Sequence, residues 1–587
     1  MPAKPSGETK SHVVKQRRKN GDIYVYSRTV LYDPVKKNNK ILGSTLLYKI
    51  PKGETNPVPT RPKRQTLQEN PNSASGEQPL GSIRARRIKI GMMQIIDYLG
   101  KVSGIDNAIY NITDVGTAQK IISLARYFFA TNGDTLTNLA QWQPLHLLPY
   151  QGRISEDVYH DLFMHVGTDE ALQQNFFYRR CNGLKDRAVL AYDSTTISTY
   201  SEQIQAAQYG HNKVGDHLKT VKLSVIYSVE TGQPLIFSTQ RGDIADVTTI
   251  ENALKQLAVF GLGHAEVVVD NGYYSEKNLS ELCSAHFDFI VRVDTGISWV
   301  RDELDKHLQD LKKHSSACTF DVSTHGVTAL MMRELPKERK YDNHKRGIPK
   351  GNIEKIRRRL YLHMYVNTVV KTEDDISFDK QLIEIQRRLE SGVSVDGLTM
   401  TEQELVSDYM TVKRYAGKVN ATINDERTER DTRFNGHFTL ISNNEKDTFK
   451  CLYKYRRRNM IEGFFRSDKQ HVDGTRTRVW SDECLKGRLF VQFVALCYYE
   501  FFSQMIRNVV AELGKKNGNR KHDLKANLDL ENKLATWLKN SSVHQILNWF
   551  DTIEKVQVVT DKTAKSWVTE STKRDRLFLE KIGIRKL

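Results

Sequence analysis

Along the first fifty residues, bulky β-formers alternate with polar residues in DIYVYSRTVLYD and again in KILGSTLLYKI, around a turn-like DPVKKNNK. A period of two predicts a β-hairpin here. Residues 1–20 lack such a period and read as disordered. From Pro51 to about Gly81 the chain is rich in Pro, Asn, Ser, Gly and Gln, which is linker composition. The period then lengthens. In GTAQKIISLARYFFA and SEDVYHDLFMHVG apolar residues recur three and four apart, so residues 84–180 read as helices. A bundle of short helices suits a helix-turn-helix-like reader, and equally an ordinary packing bundle.

A third texture begins near residue 187. AVLAYDSTTIS is a short apolar run ending in an acid, and VKLSVIYSVETG and QPLIFSTQRG follow as strands around a turn. DVTTIENALKQLAVFGL reads as a helix with Asp246 as its N-cap. AEVVVDNGYY is a buried-type strand that also ends in an acid; SEKNLSELCSAHF is a helix and DFIVRVD a strand. The order β-β-β-α-β-α-β predicts a mixed sheet flanked by helices, the pattern of a ribonuclease H-like fold. Residues 296–433 interrupt it with strands (ACTFDVS, VTALMMREL, RRLYLHMYVN) and polar helices (KQLIEIQRRLE, TEQELVSDYMTVKRYAG). FNGHFTLISNN then resumes as a strand and DTFKCLYKYRRRNMIEGFFRSDK as a helix. Residues 485–587 read as helices joined by the basic GKKNGNRKHD.

The expected architecture is therefore α/β (α+β) and multidomain. A basic arm, hairpin and linker (1–90) precede a helical, DNA-binding candidate (91–180). A ribonuclease H-like core (181–295 and 434–515) is interrupted by a β-rich insertion domain (296–433), and a helical region (516–587) ends the chain. At 587 residues the length suits about three to five domains.

Charge narrows the partners. The chain carries 88 Lys+Arg against 70 Asp+Glu, a net +18. Residues 1–90 hold 19 basic and 6 acidic residues, a net +13, so most of the excess sits in the arm. A polyanion is the implied partner, nucleic acid before an anionic membrane. The arm suits DNA contact or a solvated, flexible segment. The most apolar run, Leu489 to Phe502, is shorter than the roughly 18–20 residues of a membrane span and contains Gln492 and Glu500, so it reads as a core helix. The N-terminus lacks the apolar stretch of a secretory signal. Six scattered cysteines form no CxxC, so neither zinc nor disulfides are implied, and a reducing cytoplasm is expected.

The acids carry the candidate chemistry. Two-metal phosphoryl transfer needs carboxylates that converge to hold hard cations. Asp193 and Asp270 each end an apolar strand, so adjacent strands would bring them to one sheet edge. Taken singly, each suits a turn as well. On a helix, Tyr455, Arg458, Glu462 and Lys469 would share a stripe about 60° wide, with Met460, Ile461 and Phe464 pointing away. In that stripe Glu462 suits a metal and Arg458 and Lys469 suit phosphate oxygens. A solvated face with an Arg458–Glu462 ion pair fits the same spacing. Asp186, Asp216, Asp243 and Asp246 read as turn or cap residues. No P-loop, HExxH or GxSxG occurs.

The pattern Y-x2-R-x3-E-x6-K resembles the signature of prokaryotic insertion-sequence transposases with a DDE catalytic domain. LAYDSTT, RGDIADVTTIENAL, VVVDNGYYSEKN, FNGHFTLISNNE and GRLFVQFVALCYY are similar to further segments of that family, in order, over about residues 187–295 and 434–505. The resemblance implies that Asp193, Asp270 and Glu462 are catalytic and bind two Mg²⁺ ions, with Mn²⁺ able to substitute. It implies that Tyr455, Arg458 and Lys469 hold DNA phosphates. It further implies double-stranded DNA as partner (element ends and target), hydrolytic nicking, attack by the freed 3′-hydroxyl, cut-and-paste movement through a hairpin in many members, and a homodimer on paired ends. The chain departs from the family in having Asn271 where Arg often follows the second Asp. Trp299 lies near the place of an aromatic that stacks a flipped base in hairpin-forming relatives, and also reads as a core residue. A metal-dependent nuclease without strand transfer, and a catalytically silent DNA-binding descendant, are the alternatives.

Overall fold

The computed structural model describes residues 9–18, 20–33, 38–53, 58–59, 84–184, 187–210, 217–339, 349–415, 418–458, 476–477, 479–514, 525–559 and 563–585. Asp186, Asp216, Glu462, Lys469, most of the linker and all of the basic GKKNGNRKHD segment after Gly514 lie outside them.

The chain divides into two compact units, residues 1–82 and 83–587. The first is an antiparallel sheet of β1 (Thr9–Arg17), β2 (Ile23–Asp33), β3 (Asn38–Ile50) and β4 (Val58–Pro59), in that order. The β2–β3 hairpin lies where the alternation placed it. The disorder expected for residues 1–20 is corrected by β1, which pairs along β2 from Thr9↔Leu31 to Arg17↔Ile23. Backbone pairing holds this strand, so its side chains need no strict alternation.

The second unit opens on β5 (Arg84–Lys89), not on a helix. Its partner is β18 (Glu554–Val559), which also pairs with β19 (Ala564–Val568), so the end of the chain is not purely helical either. Arg87 pairs with Glu554 and Lys89 with Asp551 across this seam. A partner 467 residues away leaves no mark on local periodicity.

Helices α1 (Gly91–Val102), α2 (Ile105–Tyr110), α3 (Val115–Thr131), α4 (Leu139–Trp142), α5 (Glu156–Thr168) and α6 (Glu170–Cys181) follow. The central sheet then forms from β6 (Val189–Thr199), β7 (Lys219–Ser228), β8 (Gln233–Arg241), β9 (Glu266–Val269) and β10 (Asp288–Val293). Helix α7 (Asp246–Val259) and helix α8 (Glu276–Ser284) intervene as expected. These five strands lie in the order β8-β7-β6-β9-β10, with β6, β9 and β10 mutually parallel and the β6-β7-β8 meander antiparallel. This is the ribonuclease H-like mixed sheet that the element order predicted.

The inserted residues do not stay apart from that sheet. After α9 (Ser298–Leu311) come β11 (Ala317–Cys318), β12 (Asp321–Glu338) and β13 (Ile353–Asn367). Strand β16 (His437–Ser442) bridges β10 to β13, so β13, β12 and β11 extend the sheet in turn, and short β17 (Arg476–Thr477) joins it at β6, giving ten strands. The remaining inserted elements are α10 (Thr368–Glu390), α11 (Met400–Tyr409), β14 (Met410–Tyr415), β15 (Lys418–Ile423) and α12 (Asp425–Thr432). They bury a small core of their own around Ile385, Leu389, Leu398, Val406 and Ala421. The single helix expected over TEQELVSDYMTVKRYAG ends at Tyr409, because Met410–Tyr415 pairs with β15 instead.

After α13 (Thr448–Arg457), the 33-residue α14 (Asp482–Gly514) is the axis of the unit, followed by α15 (Lys525–Asn540), α16 (Val543–Phe550) and α17 (Lys573–Lys581). By length and mean hydropathy (1.3) α14 could cross a membrane, yet Phe490, Val494, Tyr498 and Phe502 are wholly buried inside the protein. It packs on α3 and α5. The α5 crossing is so close that a Cβ on Gly487 would stand 1.9 Å from the Phe163 carbonyl oxygen. Both sheet faces are covered: Tyr192 of β6 reaches Thr249 of α7, and Tyr227 of β7 reaches Glu500 of α14.

Candidate active site

Asp270 directly follows β9, as expected. Asp193 does not end its strand. It is the fifth residue of β6, which continues to Thr199 because β7 keeps pairing with it as far as Thr199↔Lys219. The two acids still meet. In the parallel β6–β9 register Ala191 faces Val268, so two residues further on Asp193 comes level with Asp270, where β9 has ended and the sheet edge opens.

Helix α13 crosses this edge. Asp447 caps its N-terminus, accepting from the amides of Phe449 and Lys450. Cys451 and Leu452 bury its apolar side. Lys454 pairs with Glu266, the first residue of β9, at 2.6 Å and with Glu445 at 2.8 Å. Burial raises the Glu266 carboxyl's pKa, against the pull of Lys454. One residue on, the Tyr455 hydroxyl donates to Oδ1 of Asp270 at 2.8 Å. Arg458, at the helix C-cap and only 3% exposed, places Nη1 3.2 Å from Oδ2 of Asp193 and Nη2 3.5 Å from Oδ2 of Asp270. One guanidinium thus spans both carboxylates.

Electrostatics follow from this geometry. Burial pushes the Asp270 carboxyl up, but the Arg458 charge, the Tyr455 hydroxyl, the Asn271 amide and Arg292 together hold it below the ordinary range. Asp270 is therefore ionised at neutral pH. Burial, with Asp270 close by, lifts the Tyr455 phenol to about 12, so it stays a donor. The structure thus brings together four of the six sequence-derived site residues: Asp193, Asp270, Tyr455 and Arg458. Glu462 and Lys469 lie outside the described residues. Among the described residues no three His, Cys, Asp or Glu side chains cluster as a metal site. The Asp193–Asp270 pair does offer hard carboxylate oxygens on partly exposed side chains (13% and 31%), the donor type a divalent cation takes.

Tyr455 and Arg458 direct their polar atoms at the aspartates, which differs from an open phosphate-gripping face. Sequence reasoning also missed Lys454 and Arg292. Lys454 sits unmarked in the run KYRRR; Arg292, exposed on β10, is separated from the motif by the whole insertion. Asn271 opens a one-turn helix (Asn271–Tyr273) and helps Asp270 through its amide. Trp299 is half-buried against the core, with the Arg333 guanidinium 4.4 Å from its ring centre, and Arg333 pairs with Glu276. These contacts suit the packing role. Asp246 is not an N-cap: it is the first residue of α7, behind Ala245.

The family comparison agrees in kind. The family described as transposase DDE domain matches residues 184–498. No curated protein matches the chain. Among solved structures, the chain is similar to one from a cryo-EM study of the piggyBac transposase synaptic complex with hairpin DNA. That similarity has 10% identity and a TM-score of 0.33 over 78% of this chain and 84% of that one.

Proposed function

We propose that this chain, which belongs to the transposase DDE domain family, cuts DNA at the ends of a mobile element and joins the freed ends to new DNA. The observation that carries the proposal is the convergence of Asp193 and Asp270 on one buried guanidinium at the open edge of the central sheet.

Transposases of this family work with divalent metal ions, and the oxygen donors of Asp193 and Asp270 fit one. These two would hold the ions together with Glu462. We take the ions to be two Mg²⁺, with Mn²⁺ able to replace them. Bound there, they would activate the attacking oxygen and stabilise the leaving one.

The chain's own residues do the positioning. Arg458 and Tyr455 fix the two carboxylates in one orientation and keep Asp270 ionised. With those groups occupied, Lys469 and the exposed Arg292 are the cations we assign to phosphate oxygens, and Tyr455 and Arg458 reach phosphate only secondarily. In the first step water attacks a phosphodiester at the element end; its P–O bond breaks and the departing 3′ oxygen takes up a proton. In the second, that 3′-hydroxyl attacks a target phosphodiester, forming one P–O bond as another breaks. Bonds balance, so no nucleotide is consumed.

In its finer form the proposal includes inverted-repeat ends, a cut-and-paste route through a hairpin, a homodimer on paired ends, and action in a prokaryotic cytoplasm. The family resemblance supports the first three, and six free cysteines suit the last. The net +18 supports double-stranded DNA as the partner. The experiment is incubation with labelled DNA carrying the element ends in Mg²⁺. Covalently joined product supports the proposal, and nicked product that is never joined favours a nuclease.

A further inference from the structure

A second polar cluster lies behind the carboxylate pair. Lys222, on β7 and 6% exposed, places Nζ 2.5 Å from Oδ1 of Asp246 and 2.5 Å from the Ile244 carbonyl oxygen. The same Oδ1 accepts from the Ser194 hydroxyl at 2.8 Å. Ser194 in turn accepts from the Tyr273 hydroxyl at 2.8 Å. Ser194 and Tyr273 are each only 2% exposed.

The positions of these groups give the cluster its meaning. Ser194 directly follows Asp193 and donates its amide to Oδ1 of that residue at 2.8 Å. Tyr273 lies on the turn that follows Asp270. The Asn278 side chain donates to the Tyr273 carbonyl at 2.8 Å and to the Val247 carbonyl at 2.7 Å, which ties that turn to the helix bearing Asp246. The segment carrying Asp193 is thus hydrogen-bonded to the Asp246 carboxylate directly, and the turn after Asp270 reaches it through Ser194. A buried ammonium such as Lys222 is costly without a counter-charge, and the Asp246 carboxylate stands 2.5 Å from it. The hydroxyl chain then runs one way, Tyr273 to Ser194 to Asp246. Asp246 is not itself a third ligand of the described set, since no such three-acid group exists among the described residues and its Oδ1 already accepts two donors.

We propose that the Lys222–Asp246 pair positions the active site: through Ser194 and Tyr273 it sets the separation of Asp193 and Asp270, and so the affinity for a divalent cation. The inference rests on the reading of those two aspartates as cation ligands. Carboxylates that share a cation must be held within a fraction of an ångström, and residues behind metal ligands commonly change affinity by about 10–100-fold.

The test is Mn²⁺ binding to the full-length, DNA-free protein, followed by the electron paramagnetic resonance signal of free Mn²⁺. Ser194→Ala, Tyr273→Phe, their double variant and Asp246→Asn are compared with wild type, with Asp193→Asn as the non-binding reference. Each single variant is expected to weaken Mn²⁺ by about tenfold. The double variant should lose no more than the worse single, because both hydroxyls belong to one chain. In DNA cleavage, kcat should fall at limiting Mn²⁺ and recover at saturating Mn²⁺ while KM for DNA stays unchanged, a rescue that general loss of fold does not give. Tyr273→Phe removes one hydroxyl only, so it keeps the test decisive if Ser194→Ala misfolds. Mn²⁺ affinity within twofold of wild type in Tyr273→Phe and Asp246→Asn, or losses that multiply in the double variant, would overturn the inference while leaving the function intact. Wild type binding Mn²⁺ no better than Asp193→Asn would overturn the cation reading, and this inference with it.

Discussion

Nη1 of Arg458 stands 3.2 Å from Oδ2 of Asp193, although 265 residues separate them in the chain. The same guanidinium reaches Asp270, so a single buried cation organises both acids. Replacing it should leave the two carboxylates without the one guanidinium that spans them both. Arg458→Ala is expected to lower kcat for DNA cleavage by about 10²-fold or more. Arg458→Lys should recover only part of this loss, since an ammonium cannot span two carboxylates as a planar fork does. Single-turnover cleavage measures both.

Acidity supplies an independent check on the same contact. In wild type the Asp270 pKa is depressed, so its contribution to stability is present above the unfolded value and lost as pH falls through the folded one. In Arg458→Ala the largest influence opposing burial is gone, so the depression, and the stability that goes with it at neutral pH, shrinks. Denaturant unfolding should therefore show the widest stability gap between the two proteins near pH 7. The gap should close as pH drops below about 4.

Much of this site could be read from the sequence, and the unread parts have physical reasons. Asp270 follows a strand that runs through three successive valines, and a strand buried on both faces reads as an apolar run. Asp193 looked the same, but β6 continues through Ser194, Thr195, Thr196 and Ser198, polar residues that are all buried, with Ser194 bonded to Asp246 and Tyr273. Helical spacing singled out Tyr455 and Arg458, but it could not show that both would turn onto the aspartates. Partners distant in sequence hid β5, whose seam with β18 joins the two ends of the second unit. The insertion appeared as a separate body because its strands lie outside the core's run of elements, whereas β13 pairs with β16 along six residues of the same sheet.

A stability prediction concerns the helix crossing behind the sheet. A Cβ on Gly487 would meet the Phe163 carbonyl oxygen at 1.9 Å, and one on Gly167 would meet the Glu483 carbonyl oxygen at 1.7 Å. Both obstacles are backbone, so relief requires the two helices to separate. Gly487→Ala and Gly167→Ala should each destabilise by about 2 kcal/mol or more in equilibrium unfolding. Gly263, with open space at its Cβ position and no positive φ, should lose much less on the same change.

A different pH dependence is expected from the opposite face. Glu500 is 4% exposed beneath β7, and burial raises its pKa to about 7. The Tyr227 hydroxyl lies 3.0 Å from Oε2 of Glu500 and 2.5 Å from the Gly232 carbonyl oxygen, and its single proton can serve only one of them. A protonated Glu500 donates to Tyr227 and satisfies both. Its stabilising effect is thus full below the unfolded pKa near 4.5 and lost as pH rises through about 7. Glu500→Gln, which mimics the protonated acid, should gain about 2 kcal/mol over wild type at pH 8 and nothing at pH 4, by denaturant titration at each pH.

The most direct measurement is Mg²⁺-dependent cleavage of element-end DNA by wild type and by Asp193→Asn, Asp270→Asn and Glu462→Gln, with DNA affinity measured in parallel. Each variant should lose cleavage by about 10³-fold or more while binding DNA within a few-fold of wild type, and EDTA should silence wild type. Cleavage that persists in Asp193→Asn or Asp270→Asn at near wild-type rates would contradict the account.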